Sequence, residues 1–232
     1  MALVILNPGH FNPDDPGAVG NGIMEADVNV KICDLITAKA PSYGFDIVTV
    51  HDNDLDNICA KANTYPDANL FLSIHVNSAV DTEATGFESY IYPGSQKADN
   101  IRFYIHIEVA NFYRQYGFVD RGKKNANFEV LRETSMPAML FENLFISDPR
   151  DANKLKDDTF LDALAAAYTK GLARALGCAY KGEAEVNVPI WAKEGVMWAV
   201  SHGLINDQIG DETFYRFVKV LHDYDKWRFG GG

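Results

Sequence analysis

The chain has 232 residues, enough for one domain or for one domain and a small appendage, and its 47% apolar content supplies a sizeable core rather than a disordered chain. A formal net charge of −11 argues against a nucleic-acid partner, since phosphate binding needs a basic face. No segment approaches the roughly 18–20 apolar residues of a membrane span, and three scattered cysteines (Cys33, Cys59, Cys178) form neither a CxxC pair nor a disulfide framework.

In chain order, residues 3–7 are a continuous apolar run entering Pro8-Gly9, the signature of a buried strand ending in a turn. This opening lacks the basic region and long apolar stretch of a signal peptide. The expectation is therefore a cytoplasmic product, or one that leaves the cell by a route needing no signal peptide. Residues 25–40 carry Val28, Val30, Ile32, Leu35 and Ile36 in a helical pattern. Residues 45–50 read as strand, 55–63 as helix, 70–74 as a second buried strand, and 86–92 as an alternating sheet member. A long helix over 96–116 follows, whose aromatics Phe103, Tyr104, Phe112 and Tyr113 are read as core. The short basic run Arg121-Gly122-Lys123-Lys124 is read as a solvated surface loop. Residues 137–142 form a further apolar strand, and 157–176 an Ala- and Leu-rich helix stopping at Gly177.

Strands alternating with helices imply an α/β fold, with a mostly parallel central sheet flanked by helices. The pattern breaks near residues 179–188, giving a first domain over 1–180, a linker over 181–188 and a small helical unit over 189–232. Within that unit one helix is expected over 190–202, ending at Gly203, and a second over 211–224 with Asp211 as N-cap. The final glycines 230–232 read as a frayed tail.

Three polar residues fall at the carboxyl ends of expected strands: His10, His75 and Glu142. That edge is where open α/β sheets bind ligands. Glu25 opens the first long helix, where a carboxylate suits the helix dipole. Two histidines and a glutamate form a common catalytic zinc set with a fourth position free, and a further carboxylate is then needed as general base.

The segments Gly9-His10, Asp15-Pro16-Gly17-Ala18-Val19-Gly20, Glu25, Ser73-Ile74-His75-Val76-Asn77-Ser78 and Gly86-Phe87-Glu88-Ser89-Tyr90 come first in a longer series. They are followed by Asp120-Arg121-Gly122-Lys123, Val130-Leu131-Arg132, Pro137-Ala138-Met139-Leu140-Phe141-Glu142 and Phe145-Ile146-Ser147-Asp148 with Asp151 and Leu155. In this order and spacing the chain resembles the zinc N-acetylmuramoyl-L-alanine amidases of the amidase-3 group over roughly residues 3–177. The resemblance implies Zn²⁺ on His10, Glu25 and His75, Glu142 as catalytic acid/base, and bacterial peptidoglycan as substrate, with Asn77 and Arg132 as candidate substrate contacts. An endolysin-like or autolysin-like enzyme is implied, reaching the wall in the manner of a phage lysin; a zinc carboxypeptidase or a non-catalytic wall-binding protein are the alternatives. The chain departs from the family where Val50-His51 and the Ile58-Cys59 region stand in place of arginine-bearing positions, and where Leu144 replaces a glycine.

The remaining histidines read more plainly. His51 is taken as a surface-loop residue, with a role beside the site as the alternative, and His106, His202 and His222 as helix residues, partly buried or at the surface. Glu88 is read as solvated. Finally, Trp191-Ala192-Lys193-Glu194-Gly195-Val196-Met197-Trp198-Ala199-Val200 and Gly203-Leu204-Ile205-Asn206 resemble a single S-layer homology repeat. Trp191, Val196, Trp198 and Leu204 would line one apolar face. Such a unit implies binding of a secondary cell-wall polymer or a homodimer through the C-terminal helices, and a helical pair that completes the fold is an equal reading.

Overall fold

The structure is a computed structural model that describes residues 1–178, 188–201, 204 and 212–229. The chain divides into two compact units, Met1–Lys181 and Gly182–Gly232.

The first unit is built on a six-stranded sheet. Its strands are β1 (Ala2–Pro8), β4 (Phe45–Thr49), β5 (Leu70–Asn77), β6 (Phe87–Ile91), β7 (Asp120–Asn125) and β8 (Ala138–Phe145), in the spatial order β4-β1-β5-β8-β6-β7. The pairs β1/β4, β1/β5, β5/β8 and β6/β7 are parallel, and β6 runs antiparallel to β8. A two-stranded hairpin, β2 (Val19–Gly20) with β3 (Ile23–Met24), stands apart from the sheet.

Helices cover the sheet unequally, and strand alternation shows why. On β5, Leu70, Leu72, Ile74 and Val76 enter the larger core with helices α1 (Glu25–Lys39), α3 (Gln96–Gln115), α5 (Pro149–Leu155) and α6 (Asp158–Leu176). Phe71 points the other way, into a smaller cluster with Ile5, Leu140, and residues of α2 (Leu55–Asn63) and α4 (Glu129–Arg132). Since successive side chains alternate faces, Ser73, His75 and Asn77 share the face of Phe71, and Glu142 shares that of Leu140. The two short helices cap only the lower part of this face. Above them comes a polar layer, in which Ser73 Oγ donates to Asn7 Oδ1 at 2.7 Å and Asn7 Nδ2 to the Val50 carbonyl at 2.9 Å.

Several expectations change here. Residues 120–125 are not a surface loop but the edge strand β7, and polar composition suits an edge whose outer side must not invite further strands. His75 and Glu142 do not end their strands, because β5 continues to Asn77 and β8 to Phe145. Leu144, where the family carries glycine, adopts a left-handed φ of 61° while fully buried, a strained position for a branched side chain. Phe103, Phe112 and Tyr113 are buried as expected. His106 is completely buried, taking part in a Ser89–His106–Asp120 chain that ties β6, α3 and β7 together. Buried this deeply, the chain braces β7.

In the second unit, a 3-10 turn (Ile190–Ala192), α7 (Lys193–Ser201) and α8 (Glu212–Phe229) are described, with α7 against α8. Gly195 permits the close approach, since a Cβ there would stand 2.9 Å from Lys219 Cα. Trp198 Nε1 donates to Asp225 Oδ2 at 2.9 Å, and His222 is buried. Of the residues expected on one apolar face, Val196 is buried, whereas Trp191 and Leu204 are exposed. Of the linker expected over 181–188 all but Val188, together with His202, Gly203, Ile205, Asn206, Asp211 and residues 230–232, lie outside the described residues. No described helix is long and apolar enough to cross a membrane.

Candidate metal centre

His10 follows β1 in a left-handed conformation (φ 65°), which turns its ring back over the sheet edge. This costly conformation is held on several sides. Gly9 N donates to the Ile74 carbonyl at 2.9 Å, Phe11 and Asp15 exchange backbone hydrogen bonds of 2.7 Å, and His51 Nε2 donates to the His10 carbonyl at 2.6 Å. His51 is therefore no bystander in a surface loop. Asp15 Oδ2 meets His10 Nδ1 at 2.8 Å, leaving Nε2 to face inward.

Glu25 is the first residue of α1 and is 4% exposed, too buried for an uncompensated carboxylate. It is placed by the hairpin, with Glu25 N donating to the Ala18 carbonyl at 2.9 Å and Ala18 N donating back to Oε2 at 3.0 Å. Asn21 Nδ2 pins the hairpin to the Ile146 carbonyl at 2.8 Å. Oε1 accepts from Val76 N at 3.1 Å and stands 3.1 Å from His75 Nδ1, while Oε2 stands 3.3 Å from His10 Nε2. Two glycines make room. A Cβ on Gly9 would fall 2.1 Å from the His75 ring, and one on Gly17 would fall 2.6 Å from the His10 ring and 2.8 Å from Glu25 Oε2.

Ligand atoms of His10, Glu25 and His75 thus all lie within 4.8 Å of one another. Pairs of ligands around a tetrahedral zinc with bonds of about 2.0–2.1 Å stand roughly 3.3 Å apart; Glu25 stands 3.1 Å from His75 Nδ1 and 3.3 Å from His10 Nε2, and the donor set suits that ion. The electrostatics agree. The hydrogen bond to Glu25, opposed by burial and helped by Asp15, lifts His10 to about 9. Burial alone would raise Glu25, yet hydrogen bonds from His10 and His75 carry its carboxyl far below the usual range. The two shifts together favour a proton shared between His10 and Glu25.

Glu142 sits beside it, paired in register with His75 across β5/β8 and with Glu88 across β8/β6. Its Oε2 is shut off from solvent and has no hydrogen-bond partner among the described residues. Burial, moderated by His75 and reinforced by Glu25 and Glu88, pushes its pKa up to about 7. A carboxyl balanced between its two protonation states near neutral pH is suited to taking and returning a proton.

The four residues chosen for metal and base therefore meet at one place. Asn77 adjoins them, donating from Nδ2 to Glu88 Oε1 at 3.1 Å. Arg132, at the end of α4, donates to Glu133 at 2.6 Å and to Asn127 at 2.6 Å. Glu88 corrects the solvated reading, being 3% exposed and paired with Arg121 and Lys124 of the basic run. Gly9, Asp15 and Gly17 belong to the segments that carry the resemblance, but their supporting role, and that of Asn29, shows only in the structure. Asn29 stands one helical turn after Glu25 and donates to the Gly9 carbonyl at 3.0 Å, a spacing that could have flagged it.

Residues 4–174 match the family model described as Amidase_3, N-acetylmuramoyl-L-alanine amidase. The chain is 42% identical over 182 residues to the sporulation-specific N-acetylmuramoyl-L-alanine amidase of Bacillus subtilis (strain 168), an overlap of 75% of this chain and 68% of that relative. It is 37% identical over 182 residues to the endolysin of Bacillus phage SPP1, covering 75% of this chain and 66% of the endolysin. Among solved structures, the catalytic domain of CwlV, an N-acetylmuramoyl-L-alanine amidase from Bacillus (Paenibacillus) polymyxa var. colistinus, aligns with a TM-score of 0.68 and 28% identity, covering 77% of this chain and all (100%) of that one.

Proposed function

The chain belongs to the N-acetylmuramoyl-L-alanine amidase family, and from that membership we propose how its site carries out the hydrolysis of peptidoglycan. His10, Glu25 and His75 hold one Zn²⁺, and Glu142 is the general base and then the general acid. The observation that carries this reading is the convergence of the three ligand residues beside a carboxylate whose buried Oε2 has no partner.

Bound there, Zn²⁺ supplies Lewis-acid chemistry, making water more acidic and polarising a carbonyl oxygen. The chain's own residues do the rest. Glu142 accepts a proton from the attacking water as its oxygen bonds to the lactyl carbonyl carbon of N-acetylmuramic acid. When the carbon–nitrogen bond breaks, Glu142 returns the proton to the departing nitrogen. The products are a lactyl carboxylate and the free N-terminus of L-alanine. Asp15 and the His51 contact to the His10 carbonyl keep the His10 ring in place throughout. End-group analysis of digested walls tests the cleavage: new L-alanine N-termini are expected, whereas new peptide carboxyl ends without them would indicate a carboxypeptidase.

The likeness to a phage endolysin supports a lysin-like mode of action on the wall. The S-layer-homology likeness of the second unit supports retention at the wall, through a secondary polymer or pairing with a second copy. Truncation after Lys181 is expected to leave a folded, zinc-loaded enzyme that sediments less with purified walls. Aggregation or loss of zinc in the truncated chain would make the two C-terminal helices part of the catalytic unit.

A further inference from the structure

Beyond Glu142 on the same open half-face, Glu88 accepts four hydrogen bonds. They come from Asn77 Nδ2 at 3.1 Å, Tyr90 Oη at 2.5 Å, Arg121 Nε at 2.9 Å and Lys124 Nζ. Two cations around one carboxylate leave the cluster at a formal +1, in a chain whose formal net charge is −11. The carboxylate is buried, but the cations are not: the Arg121 and Lys124 side chains are 36% and 37% exposed. Arg121 is also fixed in orientation. Its Nη1 donates to the Thr85 carbonyl at 3.4 Å and its guanidinium lies 4.8 Å from the centre of the Phe145 ring. Its Nη2 makes no hydrogen bond among the described residues.

The order across the sheet is His75, Glu142, Glu88, with Arg121 and Lys124 coming from the next strand. Chemistry gives that order a direction. The scissile carbonyl belongs on the His75 side and the departing alanine nitrogen at Glu142, so the stem peptide continues toward β6 and β7. Neighbouring strands lie about 4.8 Å apart, and an extended chain advances about 3.3–3.6 Å per residue. The second residue of the stem therefore arrives where Arg121 and Lys124 lean in over Glu88.

We propose that Arg121 and Lys124, positioned by Glu88, bind the free carboxylate of the stem peptide's second residue, glutamate, and so select free-acid over amidated peptides. The proposal rests on the catalytic reading above, because Glu142 sets the direction of the peptide. A planar guanidinium held on one edge by Glu88 keeps donors for a second carboxylate, a geometry that an amide satisfies less well.

Two muramyl peptides that differ only in a carboxylate or carboxamide at that residue test it, using the full-length, zinc-loaded chain. The free acid is expected to have a kcat/KM roughly tenfold or more above the amide, the size of a charge-assisted hydrogen bond. The preference should appear in KM rather than kcat. Arg121→Gln and Lys124→Gln should each shrink the acid-to-amide ratio several-fold, with zinc content and circular dichroism unchanged, and Arg121→Lys should restore part of it. Because the readout is a ratio, a general loss of activity from disturbing Glu88 leaves it unmoved. Equal turnover of the two peptides by the parent, or a ratio that survives Arg121→Gln and Lys124→Gln, overturns the subsite alone. A parent that frees no L-alanine N-terminus from either peptide overturns the catalytic reading and the subsite together.

Discussion

Glu142→Gln is expected to lower kcat on peptidoglycan by roughly 10²–10⁴-fold, the usual contribution of a positioned general acid/base, while zinc content and fold are retained. The amide keeps the size of the side chain but can neither take the water's proton nor return it to nitrogen. The same substitution should leave a separate mark on stability. Burial raises the Glu142 carboxyl from the ordinary 4.5 to about 7, so the folded chain holds this proton more tightly than the unfolded chain does. Its contribution is fully present below the unfolded value and is lost as pH rises through about 7. Glutamine never takes on the buried charge. In metal-free protein, Glu142→Gln should therefore unfold at a higher temperature than the parent above pH 7, and the gap should close toward pH 4.5. Thermal scans of the two chelated proteins across that range check the sign. A near-normal kcat in the variant would move the proton transfer to another group.

Removing the metal with a chelator is expected to cost roughly 10³-fold or more in activity, since several kcal/mol of transition-state stabilisation go with the ion. Added Zn²⁺ should restore it. The fold should survive, because without a cation Glu25 remains hydrogen-bonded to Val76 N and Ala18 N and in contact with His10 and His75. Reloading carries its own signature. With a pKa of about 9, His10 is protonated in the metal-free chain at neutral pH and must lose that proton to bind an ion. Zinc uptake at pH 7 in weak buffer should therefore release protons, and apparent affinity should fall as pH falls. Full activity in protein shown to contain no metal would overturn the assignment of His10, Glu25 and His75.

By itself the sequence determined most of the sheet and singled out the four residues that meet at its face. The apolar runs around residues 3–7, 70–74 and 137–142, short and bounded by polar or turn residues, read as buried strands, and the polar residue closing each run falls in the carboxyl half of its strand or just after it. Glu25 was legible because a helix pattern starts at it. The edge strand β7 was not, because Asp120–Asn125 has no apolar alternation, and an edge with one partner and a solvated side does not need it. Nor could the sequence separate Glu88 from Arg132. Each is a charged residue in a regular element, and their difference is set by what stands opposite. Glu88 faces Glu142 across the sheet and meets Arg121 and Lys124 at the β6/β7 bulge, so it is buried and paired. Arg132 ends α4, where Glu133 and Asn127 take its guanidinium. Local pattern reports which face a side chain takes, because alternation is a property of the strand alone. How high on that face the covering helices stop depends on residues distant in sequence, and that height leaves His75 and Glu142 in a polar layer above the apolar cluster.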